Sequence, residues 1–122
     1  MIKRFTLCFF FLTVLIQTGL VTVSAQDNQR VARTISAGDL NELCPGKFVE
    51  IHAMANNDIE AGMAVVKLFF LVDPDFLRRA ANSGVDPTSW GIELGETFRF
   101  YCERRPVVSV RTAVNQTIAY LQ

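Results

Sequence analysis

The chain has 122 residues, 12 basic and 12 acidic side chains, 50% hydrophobic residues and a mean hydropathy of +0.25, enough for one domain and too little for two. No basic stripe runs through it. Arg104 and Arg105 with nearby Arg99 and Arg111 form a cluster too small for phosphate contacts and read as a solvated face, which argues against nucleic acid as a partner.

The chain begins as a secretory leader. Lys3 and Arg4 precede an almost wholly apolar run from Phe5 to Val23, and Val23-Ser24-Ala25 supplies the small residues that a signal peptidase needs before Gln26. Cleavage after Ala25 is expected, with an uncleaved anchor as the alternative. Cys8 lies early in the apolar run, a poor place for lipid attachment, and leaves with the leader. Removing the first 25 of 122 residues leaves 97, a size at which buried area alone gives a thin margin of stability. Cys44 and Cys102 remain, and an even pair in an exported chain is read as a disulfide. Closing a loop of that length contributes about 4 kcal/mol in the chain-entropy account.

Residues 26–35 are polar without apolar period and read as a mobile lead-in, followed by a single helical domain over 36–122. Ser36 opens a short helix, with Asp39 three residues on in the manner of a capping box, Leu40, Leu43 and Cys44 on one face, and Pro45-Gly46 as the stop. Lys47 to Ala55 fits a helix through Phe48, Ile51 and Ala55, or a short strand through Val49, Ile51 and Ala53; helix is preferred. Asn56-Asn57-Asp58 caps the next helix, whose apolar stripe is Ile59, Met63, Val66 and Phe70. Gly62 inside it costs about 1 kcal/mol of helix propensity and so marks close packing against a neighbour. Leu68 to Val72 is apolar all round and belongs in the core.

Asp73-Pro74-Asp75 is a further helix start, with Phe76, Leu77 and Ala80 facing inward and Asn82-Ser83-Gly84 as the end. Asp86-Pro87 repeats the device and launches a helix carrying Trp90, Leu94, Phe98 and Tyr101 at helical spacing up to Cys102. Ser109 caps the last helix, with Val110, Val114, Ile118 and Leu121 on its face. Four or five short helices, one disulfide and no strand signal of comparable strength make an all-α bundle.

No catalytic constellation is legible. A metal site needs three or four convergent ligands, and the chain offers one histidine, His52, which reads as a surface or partly packed side chain, beside two cysteines used in a bridge. No serine nucleophile elbow or glycine-rich phosphate loop is present. Asp73 with Asp75 sits at a helix start and Glu93 with Glu96 on a polar helix side, so both pairs have structural readings. Asn115-Gln116-Thr117 matches a glycosylation sequon inside the last helix. The many aromatics are mostly core. Phe100, off the Trp90 face, is the one candidate for an exposed partner contact. The reading is therefore a protein without enzymatic activity, metal or cofactor.

Ile35 to Cys44, I-S-A-G-D-L-N-E-L-C, resembles the opening of the Rap/Tai family, exported immunity proteins that neutralise type VI secretion amidase effectors. The matching pieces are Gly38, Asp39, Leu40 and Leu43 in that opening, Gly62 in a glycine-bearing helix, Tyr101-Cys102, and Tyr120-Leu121 at the end. Tyr101 to Pro106 with Val110, Thr112 and Ala113 is also similar to a segment of HdeA-like periplasmic acid-stress chaperones. Both resemblances imply a periplasmic or secreted helical domain with one disulfide. The first implies an effector toxin as partner, blocked sterically; the second implies unfolded client proteins held after the domain opens in acid. A homodimer is compatible with either, and packing on a larger exported complex is the plainest alternative.

Overall fold

The computed structural model describes residues 28–122. The expected leader, its expected cleavage after Ala25 and Cys8 lie outside the described residues. Among the described residues two 3-10 turns, Ala32–Thr34 and Ala37–Asn41, precede five α-helices: α1 (Cys44–Met54), α2 (Asp58–Val72), α3 (Pro74–Asn82), α4 (Pro87–Glu103) and α5 (Val110–Leu121). The architecture is a small all-α bundle with one disulfide. Extended pairing among the described residues is confined to an isolated antiparallel bridge between Leu43 and Ser109. No helix among them is long and apolar enough to cross a membrane.

Most helix starts follow from local chemistry. Asn57 accepts the Glu60 N–H at 2.8 Å, Asp73 the Phe76 N–H at 3.1 Å, Asp86 the Ser89 N–H at 2.9 Å and Ser109 the Thr112 N–H at 3.2 Å, each satisfying a donor that the first turn leaves unpaired. Pro74 and Pro87 enter in the first turn, where no N–H is needed.

The segment around Cys44 departs from expectation. Asp39 does accept the Ser36 N–H at 2.7 Å, but the capping box opens only the 3-10 turn Ala37–Asn41. Pro45-Gly46 does not stop a helix; it lies in the first turn of α1, which continues to Met54 and settles Lys47 to Met54 as helical. The reason is tertiary. The Cys44 N–H donates to Val108 O at 2.8 Å and the Val110 N–H to Glu42 O at 2.9 Å, holding Glu42 and Leu43 extended until a new helix begins with Pro45 in its first turn.

Residues 28–35 are likewise not a free lead-in. Val31 and Ile35 are buried, Arg30 donates to Met54 O at 2.7 Å and Glu60 Oε1 at 3.0 Å, and Lys67 Nζ reaches Ala32 O at 3.4 Å. Isolated apolar side chains that plug into another element leave no periodic trace in sequence.

The disulfide joins Cys44 to Cys102, 58 residues apart, with both residues fully buried and Cα atoms 5.2 Å apart. It belongs to one buried core with Leu40, Ile51, Leu94, Val110 and Val114. Phe69 meets Phe98 edge-on at 5.6 Å and Phe76 at 6.2 Å, carrying the core from α4 through α2 to α3.

Helix α2 turns its predicted face the other way. Ile59, Val66 and Phe70 are exposed and Met63 is half-buried, while Ala61, Ala64, Val65, Leu68 and Phe69 face the core. Both faces are apolar at helical spacing, and the one bearing two alanines allows the closer approach of neighbouring elements. Phe70 accordingly leaves the predicted core run, of which Leu68 and Phe69 are buried and Leu71 and Val72 partly so. Gly62 is exposed, and a Cβ there would meet nothing within 4 Å, so it marks no close packing. Gly62→Ala should therefore stabilise the domain by about 0.5–1 kcal/mol, read as a rise in the urea midpoint without change in slope.

Candidate protein-contact surface

Phe98 and Phe100 stand about 200° apart around α4, so burying Phe98 against Phe69 must turn Phe100 to solvent, and it is 58% exposed. One turn later Arg104 lies over both the Phe100 ring, at 5.3 Å, and the Tyr101 ring, at 5.7 Å. Phe100 and Tyr101 meet edge-on at 5.2 Å, and Tyr101 meets Tyr120 of α5 at 6.4 Å. Tyr120 is 66% exposed.

Tyr120 also borders an open cleft of about 530 Å³ between the ends of α3 and α5 and the first turns of α4. Phe76, Val85, Trp90 and Leu121 give it apolar walls, and Arg79 and Glu93 stand at its edge. Trp90 is braced by Phe76 at 5.7 Å. Arg104, Phe100, Tyr101 and Tyr120 thus form a chain of contacts whose last ring also lines the cleft. Its side chains are of the kinds that carry binding energy in protein interfaces, where large, stiff Tyr, Trp and Arg groups lose little entropy on contact.

The other predicted positions fall elsewhere. Leu40 is buried and Gly38 and Leu43 are exposed on the strap leading to Cys44; Pro106 is exposed in the α4–α5 turn after a cis peptide bond. Leu121 joins Tyr120 at the cleft, whereas Gly62 lies on the outward side of α2. His52 is exposed with its ring edge against Phe48 at 4.5 Å. The sequon's Thr117 is buried and donates to Ala113 O at 2.8 Å. Among the described residues no group of three or more His, Cys, Asp or Glu side chains is arranged to hold a metal ion.

Two buried charges had no place in the sequence reading. Lys47, its side chain only 6% exposed, is surrounded by Asp39 at 2.8 Å, Glu50 at 3.0 Å and Glu42 at 3.4 Å. Burial pulls the ammonium down, but the hydrogen bonds and charges of Asp39 and Glu50 outweigh it and hold Lys47 above the usual lysine range. Burial likewise raises Asp39, and the Lys47 ammonium together with the Ser36 N–H more than reverses this, leaving its carboxyl below its ordinary value. Glu60, 1% exposed, takes the Asn56 N–H at 2.7 Å and the Arg30 guanidinium at 3.0 Å. The Asn56 N–H, against burial and with help from Arg30, holds its carboxyl low. Only the Lys47–Glu50 spacing was legible as a pair; the other partners are brought in by the fold.

No protein-family model matches the chain, and no curated protein or solved structure is significantly similar to it.

Because Asp39 and Glu60 are depressed on folding, their contribution to stability is present above the ordinary carboxylate range and is lost as pH falls through their lowered values. Urea titrations should give a flat midpoint around neutrality and a fall below about pH 4. Asp39→Asn should be less stable than the parent at neutral pH, and the difference should close by about pH 2.

Proposed function

We propose that this chain is an exported, non-enzymatic protein-binding domain, most concretely an immunity-type protein that neutralises a secreted amidase effector. The observation that carries the reading is the aromatic surface in which exposed Phe100 and Tyr120 flank the half-buried Tyr101, with Arg104 over the Phe100 and Tyr101 rings, since a single domain of this size gains nothing in stability by exposing two large rings beside a third. The mechanism is steric: the surface covers the effector's active cleft. The Cys44–Cys102 bridge holds the C-terminal end of α4 in place beforehand and lowers the ordering cost of binding.

A second reading, an acid-activated chaperone of HdeA-like type, is favoured by the buried charges. Protonation of Asp39 removes the nearest counter-charge of the buried Lys47 ammonium, and a marginal domain then loosens and offers its apolar faces to unfolded clients.

Recovery of the exported protein from its native compartment should retain one partner at stoichiometric amount, with amidase activity that added protein suppresses. Phe100→Asp combined with Tyr120→Asp should weaken that suppression by about 100-fold while leaving the unfolding midpoint near the parent value. Retention of no stoichiometric partner sinks the immunity reading. On that reading, light scattering from an aggregating client is unaffected by the protein both at about pH 3 and at neutrality; protection confined to acid transfers the function to the chaperone.

A further inference from the structure

The chain between Arg99 and Arg111 carries four arginines against the single acid Glu103, whereas the rest of the chain is left with 8 basic against 11 acidic residues. Most of the other cations are paired within the domain: Arg30 with Glu60, Lys47 with three carboxylates, Arg78 with Asp75, and Arg79 near Asp73 at 3.9 Å. Arg99 is taken by Glu103 at 3.2 Å. Arg104, Arg105 and Arg111 are exposed and have no carboxylate partner among the described residues. Three exposed cations without a carboxylate partner among the described residues therefore fall at the end of α4 and the start of α5, near the exposed Phe100, while Lys67 is half-buried against Ala32 O.

The Arg104 geometry suits a second task. The Arg104 guanidinium carbon lies 5.3 Å and 5.7 Å from the two ring centroids, and its N–H groups, with no carboxylate partner among the described residues, remain available to a carboxylate. Contact with the rings orients Arg104 without consuming its donors.

We propose that this surface binds an acidic segment of a partner protein, with an apolar side chain of that segment against Phe100 and its carboxylates against Arg104, Arg105 and Arg111. The inference rests on the protein-binding reading of the same surface and adds the chemistry of the partner. Charge complementarity selects that occupant. Three free cations are few for tracking a nucleic-acid backbone, whose affinity grows with the number of phosphates neutralised, and few for holding a protein on an anionic bilayer at about 1 kcal/mol per basic residue. Beside exposed rings they match one acidic, partly apolar protein segment.

The test uses the oxidised exported protein and a labelled peptide of alternating Glu and Leu, followed by fluorescence anisotropy. Matched Gln/Leu and Lys/Leu peptides and phosphatidylserine vesicles serve as comparisons. The Glu/Leu peptide should bind at least about tenfold more tightly than the Gln/Leu peptide and weaken as salt is raised. Arg104→Ala, and separately Arg105→Glu with Arg111→Glu, should each lower its affinity at least about fivefold with the unfolding curve unchanged. The proposal is overturned by absence of Glu/Leu binding, by equal binding of the Lys/Leu peptide, by arginine variants that bind like the parent, or by retention on vesicles alone. Equal binding of the Gln/Leu peptide that is abolished in Phe100→Asp overturns the acidic partner while leaving the protein-binding reading standing. That reading fails separately, on recovery of no partner from the native compartment.

Discussion

The Cys44–Cys102 bond ties together three stretches that local forces would leave apart: the strap ending at Leu43, the first turn of α1 and the last turn of α4. Two backbone hydrogen bonds, Cys44 to Val108 and Val110 to Glu42, extend the tie to the start of α5. A loop of 58 residues closed covalently removes about 4 kcal/mol of disorder from the unfolded chain, a large share of the ~5–15 kcal/mol typical of whole domains. Everything specific about the surface depends on this knot, because Phe100 and Arg104 flank Cys102 on the same helix end.

A small core also explains why two charges are inside. The strap over residues 36–42 contributes Leu40 as its fully buried apolar anchor, and much of its remaining attachment is electrostatic, through Asp39 and Glu42 on Lys47. Arg30 and Glu60 do the same for the segment that carries Val31 and Ile35. Buried ion pairs of this kind contribute less net stability than apolar packing would, and they make the attachment sensitive to pH. The aromatic surface is anchored differently, by covalent and aromatic contacts around α4. Acid therefore acts first on the N-terminal covering rather than on the aromatic ridge.

Helical phase decides what is offered to solvent. On α4 the spacing Leu94, Phe98, Cys102 is turned inward by the bond at Cys102, which leaves Phe100 outside. On α2 the same geometry exposes Ile59, Val66 and Phe70. The two exposures differ in kind. Around Phe100 the rings are braced by Tyr101, Tyr120 and Arg104 and continue into a cleft, whereas along α2 no cluster of rings and charges accompanies them.

What the sequence determined by itself is whatever depends on near neighbours in the chain. The caps at Asn57, Asp73, Asp86 and Ser109, the inward face of α4, the all-α class and the disulfide partners were all legible, because each rests on residues within a turn or on a count of cysteines. The outward position of Phe100 followed from the same local geometry. Tertiary structure alone decided the rest. It set which of two apolar faces of α2 to bury, made Pro45 begin a helix instead of ending one, and drew Val31 and Ile35 into the core. It also brought Asp39 and Glu42 to Lys47, and Tyr120 to Tyr101. Each of these is a choice between locally equivalent options, settled by contacts between residues far apart in sequence, which periodicity and capping rules do not register.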